Sequence, residues 1–250
     1  MVRRRKWRAF GVGISLGLLA IAAVLLRPHG LVRAIARLSP DVVFFIETER
    51  RAIALTIDDA PDPATTPDIL DVLNAHNARA TFFVMGEAAQ AHPHLVERML
   101  AEGHELGNHT MRDEPSIRLS PDALRQTMDR THDILSAFGD VNWFRPASGW
   151  YSGRMLDMAR DRSYQTVLGS IFPFDTHVSS SGFATWYVVA NARPGAIVVL
   201  HDGGDRGRRT AVTLSQVLPE LSDRGYEITS LSNASRAQAP RPDGRESRRF

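Results

Sequence analysis

The 250-residue chain is 43% hydrophobic and has no cysteine, so it can bury one sizeable core but has neither a disulfide framework nor a thiolate metal site; any metal must use histidines and carboxylates. A net charge of +2 and a pI near 9.4 invite a nucleic-acid reading. The distribution excludes it: residues 1–8 carry five positive charges and 232–250 a net +3, leaving the middle of the chain at −6, with no basic groove for phosphates.

Taken in chain order, a basic cytosolic segment (1–8) containing Arg3-Arg4-Arg5-Lys6 precedes Ala9–Leu26, eighteen residues without a charge. That length sits at the lower edge for spanning a bilayer, and Arg27-Pro28-His29 follows in place of a small-x-small cleavage site. The expectation is an uncleaved transmembrane signal anchor over 9–26, with a cleaved signal peptide as the alternative. The basic end then stays inside and the domain lies outside the cytoplasm, periplasmic or at the cell surface, or else is secreted. Residues 27–49 read as a stalk, in which 31–45 form an amphipathic piece or a first strand. Beyond it the chain alternates strands (Ala52–Ile57, Ala80–Val84, Glu105–Gly107, Val141–Phe144, Gln165–Leu168, Ala196–Leu200, Tyr226–Thr229) with helices near 66–77, 87–101, 121–138, 153–162, 183–192 and 208–224. Ser120-Pro121 starts a helix; Gly103, Gly139 and Gly225 close others. Such alternation argues a parallel sheet with helices outside. The Arg-, Pro- and Ser-rich tail 232–250 reads as disordered.

Four clusters at strand ends carry the chemistry. Asp58-Asp59 end the first apolar run just before Ala60-Pro61. Neighbours on a regular strand face opposite ways, so both reach one cavity only if the chain turns there. Two such charges also need a compensating cation or hydrogen-bond network. His109 and Asp113 stand four apart, a spacing at which two side chains on one helical turn can share a metal. Arg145 ends an apolar run and is followed by Pro146-Ala147-Ser148-Gly149 between aromatics; the bland alternative is an arginine stacked on a ring in a packed loop. His201-Asp202-Gly203-Gly204 ends another buried run, where a histidine is more often structural than catalytic. His76, His92, His94, His104 and His132 have no partner at ligand spacing and read as surface or packing residues.

In order and spacing the set resembles the polysaccharide deacetylases of the NodB-homology type, carbohydrate esterase family 4. Thr56 with Asp58-Asp59 and Pro61 matches the first motif, His109-Thr110 with Asp113 the second, and Arg145-Pro146 through Tyr151 the third. Asp175 matches the fourth and Leu200-His201-Asp202 the fifth; the resemblance covers about residues 50–231. It implies an irregular seven-stranded (β/α) barrel and metal-dependent hydrolysis of N-acetyl groups on amino sugars of a cell-envelope or extracellular polysaccharide. By resemblance, Asp59, His109 and Asp113 hold one divalent metal. Asp58 is the general base on water, oriented and kept charged by Arg145. His201 protonates the leaving amine, supported by Asp175. The Ser148 N–H completes an oxyanion hole, and Leu200 and Trp150 line the slot for the acetyl methyl.

Three departures stand out. Asp113 replaces the usual second histidine, so two carboxylates plus a dication sum to zero, which favours Mn²⁺ or Co²⁺ over Zn²⁺. Ala60 replaces Gly, and Ala147-Ser148 replaces Pro-aromatic, so the sugar-stacking surface that the resemblance implies does not carry over residue by residue. His177 stands near where the fourth motif carries a Trp, as an alternative ligand or a sugar contact. Expected partners are an N-acetylated oligo- or polysaccharide, lipid-linked or in the wall, and the membrane, with no nucleic acid. Two rivals remain: a hydrolase of another C–N bond, such as a formamide on a lipid-linked sugar or a cyclic imide, and a non-catalytic carbohydrate-binding barrel.

Overall fold

Parity along the strands decides what faces the middle of this molecule. The computed structural model describes residues 26–235. Its strands are β1 (Val42–Val43), β2 (Ala52–Ala60), β3 (Thr81–Val84), β4 (Glu105–Asn108), β5 (Trp143–Phe144), β6 (Gln165–Val167), β7 (Ile197–His201) and β8 (Glu227–Thr229). The pairing path runs β1-β6-β5-β4-β3-β2-β7, with β8 beside β2, and every ladder is parallel. Past β6 the chain reaches Ile171, which bridges to Val198 on β7. That bridge brings the two flanks of the path together and curls the sheet around a central space.

The helices are α1 (His29–Leu38), α2 (Thr66–Ala75), α3 (Gly86–Ala91), α4 (Pro93–Ala101), α5 (Pro121–Ser136), α6 (Gly153–Asp161), α7 (Ser181–Asn191), α8 (Gly204–Asp223) and α9 (Leu231–Ser235). Side chains on β2 alternate. Ile53, Leu55 and Ile57 join the main core with Ile69, Leu73 and Leu214 of the covering helices, whereas Ala52 and Ala54 join an inner cluster with Phe83, Trp143, Val167 and Ile197. Leu231 and Ala234 of α9 belong to that inner cluster and are fully buried. Above the inner cluster, the same parity presents Thr56 and Asp58 from β2 and Val199 and His201 from β7. Gly107 on β4 makes room for this layer: a Cβ there would stand 2.5 Å from the Phe83 ring.

All seven expected strands are present, with ends shifted by one to three residues. The helix expected over 87–101 is two helices, because Pro93 lacks an N–H and drives His92 out of the helical region (φ −134°, ψ 56°). The stalk expected over 27–49 is partly built into the fold. β1 pairs with β6, and Val42, Phe44 and Ile46 are buried, since these apolar residues recur at every second position. Residues 232–235 of the expected tail belong to the fold instead, because α9 docks through Ser232, whose Oγ bonds the Glu105 carboxylate; 236–250 lie outside the described residues. Of the anchor expected over 9–26, all but Leu26 lies outside the described residues; among those described, no helix is long and apolar enough to cross a membrane.

Candidate active site

A cavity of about 480 Å³ opens where the central strands end, lined by Asp58, Asp59, His109, Asp113, Arg145, Ser148, Trp150, Leu168, Phe172, His177, Val199, His201 and Arg206, among others. Its two adjacent acids reach it together through a bulge. The β2–β3 register slips between Ile57 and Ala60, and Asp59 takes φ +65°, a left-handed conformation that Asp tolerates better than most residues. The turn expected at Ala60-Pro61 is thus made one residue earlier, inside the strand.

Asp58 is held by Arg145, whose Nη1 donates to Asp58 Oδ1 at 2.6 Å and to Thr56 Oγ1 at 2.8 Å, while Nε donates to the Val167 carbonyl at 3.1 Å. The guanidinium also lies over the Phe83 ring, 4.1 Å from its centroid. Both readings of Arg145 from the sequence are therefore true at once: it is stacked, and it is paired. Burial lowers its pKa from the ordinary value, against the pull of Asp58. The backbone of Asp58 is pinned as well, its carbonyl accepting from the Asp202 N–H at 2.8 Å.

Asp59 and His109 form a second pair. His109 Nδ1–H donates to the Arg145 carbonyl at 2.8 Å, which leaves Nε2 facing Asp59 Oδ1 at 3.5 Å. That separation is too long for a hydrogen bond, and Asp59 Oδ1 is buried with no hydrogen-bond partner. An unpartnered carboxylate oxygen opposite an imidazole nitrogen whose other nitrogen is fixed by a carbonyl is the donor arrangement a divalent ion takes. The residues fit a metal on that ground. Burial alone would push the Asp59 pKa up, but His109, His201 and Arg206 outweigh it and hold it below the usual carboxylate range. For His109 burial lowers the pKa, and Asp58 and Asp59 overcome it, so the net shift is upward.

The third pair is His201 with Asp175. Nδ1–H donates to Asp175 Oδ2 at 3.0 Å, and the His201 backbone N–H donates to the same oxygen at 3.0 Å. Burial depresses the imidazolium, but Asp175, then Asp58 and Asp59, raise its pKa to about 9. His201 is protonated at neutral pH, with Nε2 free for the cavity.

Three expected placements change. Leu200 is buried in the main core and does not line the cavity; strand parity sends it outward and turns Val199 inward with His201, so Val199 and Leu168 form the apolar floor. Trp150 stands at the rim, 71% exposed, and so does not enclose a small slot. Asp113 does not join Asp59 and His109: among the described residues no three His, Asp or Glu side chains converge closely enough for a metal. Its Oδ2 lies 3.6 Å from Arg206 Nη2. Ser148 lines the cavity as expected, at φ +66°. His177 lines it too, its ring nitrogen 2.7 Å from the Thr176 hydroxyl.

Comparison with known proteins bears on what this cavity belongs to. Residues 46–167 match the family model described as polysaccharide deacetylase. A peptidoglycan-N-acetylglucosamine deacetylase of Bacillus cereus is 36% identical over 194 residues, covering 76% of this chain and 91% of the relative. The chain belongs to the polysaccharide deacetylase family. A chitooligosaccharide deacetylase of Sinorhizobium fredii is likewise 36% identical, over 72% of this chain and 90% of its own length. The crystal structure of the Bc1960 peptidoglycan N-acetylglucosamine deacetylase superposes with a TM-score of 0.73 at 31% identity, covering 78% of this chain and 92% of that one. A family 4 pseudoenzyme from Bacillus anthracis superposes as well, with a TM-score of 0.72 at 23% identity over 79% of this chain and 70% of that one; that likeness shows the fold alone. The chain is thus a hydrolase of the deacetylase family, on an α/β fold with a parallel sheet, and the side chains in the cavity must carry any finer statement.

Two further residues of this deacetylase-family chain shape the site: Asp202, which the sequence placed in a motif without a role, and Arg206, which it did not single out. Asp202 is fully buried and accepts from the Thr65 hydroxyl at 2.6 Å, the Thr66 hydroxyl and the Gly203 N–H. Burial raises its pKa despite those bonds, and it ties the loop after β2 to the start of α8. Arg206, in the first turn of α8, puts Nη1 3.2 Å from Asp59 Oδ2 and Nη2 within reach of Asp113. A basic residue at a helix start is unfavourable for the dipole; here two carboxylates compensate it. A guanidinium so close repels a dication and occupies the carboxylate expected as third ligand. Arg206→Ala should therefore tighten Mn²⁺, Co²⁺ or Zn²⁺ binding by about tenfold or more, since even one screened charge at such range is worth over a kcal/mol. Titration calorimetry on the metal-free protein measures this directly, and an unchanged or weaker affinity would refute it.

Proposed function

We propose that the protein removes acetyl groups from N-acetylated amino sugars of a peptidoglycan- or chitin-type polymer at the cell envelope, releasing acetate. The observation that carries this reading is the convergence on one cavity of an Asp58–Arg145 pair, an Asp59–His109 pair with an unpartnered oxygen, and a protonated His201 on Asp175. A binding barrel needs neither a base nor an acid.

In this reading Asp59 and His109 would hold a divalent metal, and the chemistry supplied there is Lewis acidity toward the amide carbonyl. Asp58 takes the proton from the attacking water, its free Oδ2 turned to the cavity while Arg145 fixes Oδ1. The Ser148 N–H steadies charge on the acyl oxygen. His201 gives its Nε2 proton to the departing amine as the C–N bond breaks, and the neutral ring keeps its Nδ1 proton, hydrogen-bonded to the Asp175 carboxylate. Leu168 and Val199 receive the acetyl methyl, and Trp150 offers an exposed face to a sugar ring. The uncharged run over 9–26 with the basic cluster before it supports a membrane tether, with the catalytic domain outside the cytoplasm.

The test is acetate release from N-acetylglucosamine oligomers, peptidoglycan fragments and poly-N-acetylglucosamine, with and without chelator. Release that stops on chelation and returns with Mn²⁺, Co²⁺ or Zn²⁺ is expected. No release from any of the three with metal present would sink the proposal.

A further inference from the structure

Helix α1 has a face that the fold does not use. Val32 is its buried contact, packed with Val42, Phe44 and Leu168. Leu31, Ile35 and Leu38 recur at the spacing of one helical stripe and are 49%, 38% and 84% exposed. No acidic residue lies in the helix, while Arg33 and Arg37 do, on the side away from that stripe, and Arg27 just precedes it. Three leucine-sized side chains in a row on a ten-residue helix are costly to leave in water.

We infer that α1 lies in the membrane interface, with Leu31, Ile35 and Leu38 among the acyl chains and Arg27, Arg33 and Arg37 toward anionic headgroups. This rests on the tether read from residues 9–26, and it adds a second, separate contact. The chain itself argues for lipid as the occupant: an uncharged run of eighteen residues ends at Leu26, three residues before the helix begins. Charge points the same way, because Arg27 and Arg33 crowd Arg193 and lower its pKa after burial has done so. Among the described residues these guanidiniums form no ion pair, which suits them to lipid phosphates, and an apolar stripe beside them suits the boundary below.

The consequence reaches the active site. Tyr151, next to Trp150 of the cavity rim, donates its hydroxyl proton to Ser39 Oγ at 2.7 Å just past the helix, and Leu168 of the cavity floor packs in the same cluster as Val32. A helix lying in the interface therefore keeps the cavity close to the bilayer and favours amino-sugar polymers held near the membrane over those far from it.

Because the chain has no cysteine, single-cysteine variants label cleanly. The full chain is reconstituted in phosphatidylcholine–phosphatidylglycerol vesicles and labelled with an environment-sensitive fluorophore at Leu31→Cys, Ile35→Cys or Leu38→Cys. Leu18→Cys reports the tether and Asp157→Cys, on α6, is the solvent control. Brominated lipids should remove most of the emission at 31, 35 and 38 and leave 157 unchanged, and the reversal Arg33→Glu with Arg37→Glu should reduce that quenching. Quenching at 18 with none at 31, 35 and 38 overturns the inference while the tether stands. Quenching at 31, 35 and 38 without 18 upholds the helix contact and removes the tether. Labels at 31, 35 and 38 shielded from soluble quencher and untouched by brominated lipid would mean that protein covers the stripe, and would also overturn it.

Discussion

Asp58→Asn should lower the rate constant for acetate release by about two to four orders of magnitude, the range for removing a positioned general base, while metal binding by calorimetry is retained. The asparagine oxygen can still accept from Arg145 Nη1, so the 2.6 Å contact survives in shape and loses its charge. What remains is a buried guanidinium, itself 2% exposed, with no anion against it. Breaking one side of a buried pair costs about 3–5 kcal/mol, so the thermal midpoint should fall in the same variant. Activity loss and stability loss then separate by conditions. Measured well below the lowered midpoint, on protein whose circular dichroism is native, the rate deficit should persist in full. A variant that keeps activity within a few-fold of the parent would remove Asp58 from the chemistry and leave it as Arg145's counter-ion alone.

The strand-end acids, the histidine four before Asp113 and the arginine before Pro146 were legible because each is punctuated by a residue with one backbone meaning. Where reading failed, the cause was geometry that composition does not record. The bulge at Asp59 inserts a residue without changing the apolar pattern, so β2 was read as ending at Ile57 when it runs to Ala60. The family motif points to Leu200 for the cavity, although alternation from His201 places Val199 there, two residues back along the strand. Arg206 gave a fainter signal. Gly203 and Gly204, at φ +86° and +51°, let the chain turn sharply after His201, so the first turn of the next helix returns to the rim. Nothing local says that a basic residue there will meet Asp59 and Asp113, because both partners come from distant strands. Helix α1 and β1 were half seen as an amphipathic stalk or first strand. The apolar alternation over 42–46 was present, but a two-residue strand is set by its partner, here Thr166 and Val167 of β6, more than by its own sequence.

Asp175→Asn should move the alkaline limit of activity down the pH scale, by two units at most. In the parent, burial disfavours the His201 imidazolium, but the hydrogen bond and charge of Asp175, followed by Asp58 and Asp59, carry its pKa to about 9 from the ordinary 6.5. The sign is that of a raised histidine. The stabilisation that the folded state draws from the protonated ring is complete below 6.5 and is lost as the pH rises through about 9. The acid form needed for the leaving amine follows the same curve, so the parent should hold its rate through neutral pH and decline near 9, or somewhat lower with a dication beside Asp59. Asparagine keeps an acceptor for Nδ1–H and removes the charge, so only Asp58 and Asp59 still oppose burial and the His201 pKa falls from about 9 toward its ordinary value. A full return to the ordinary value would leave a few per cent of the ring protonated at pH 8, so the loss there should approach, and not exceed, about 30-fold. His201→Ala should lose about two to four orders of magnitude at every pH, because no proton donor remains. The Asp175→Asn variant should instead recover most of its rate near pH 5.5, where a ring of ordinary pKa is charged again. A flat deficit in Asp175→Asn across that range would show that Asp175 only positions the ring, and that its charge does not set the proton on His201.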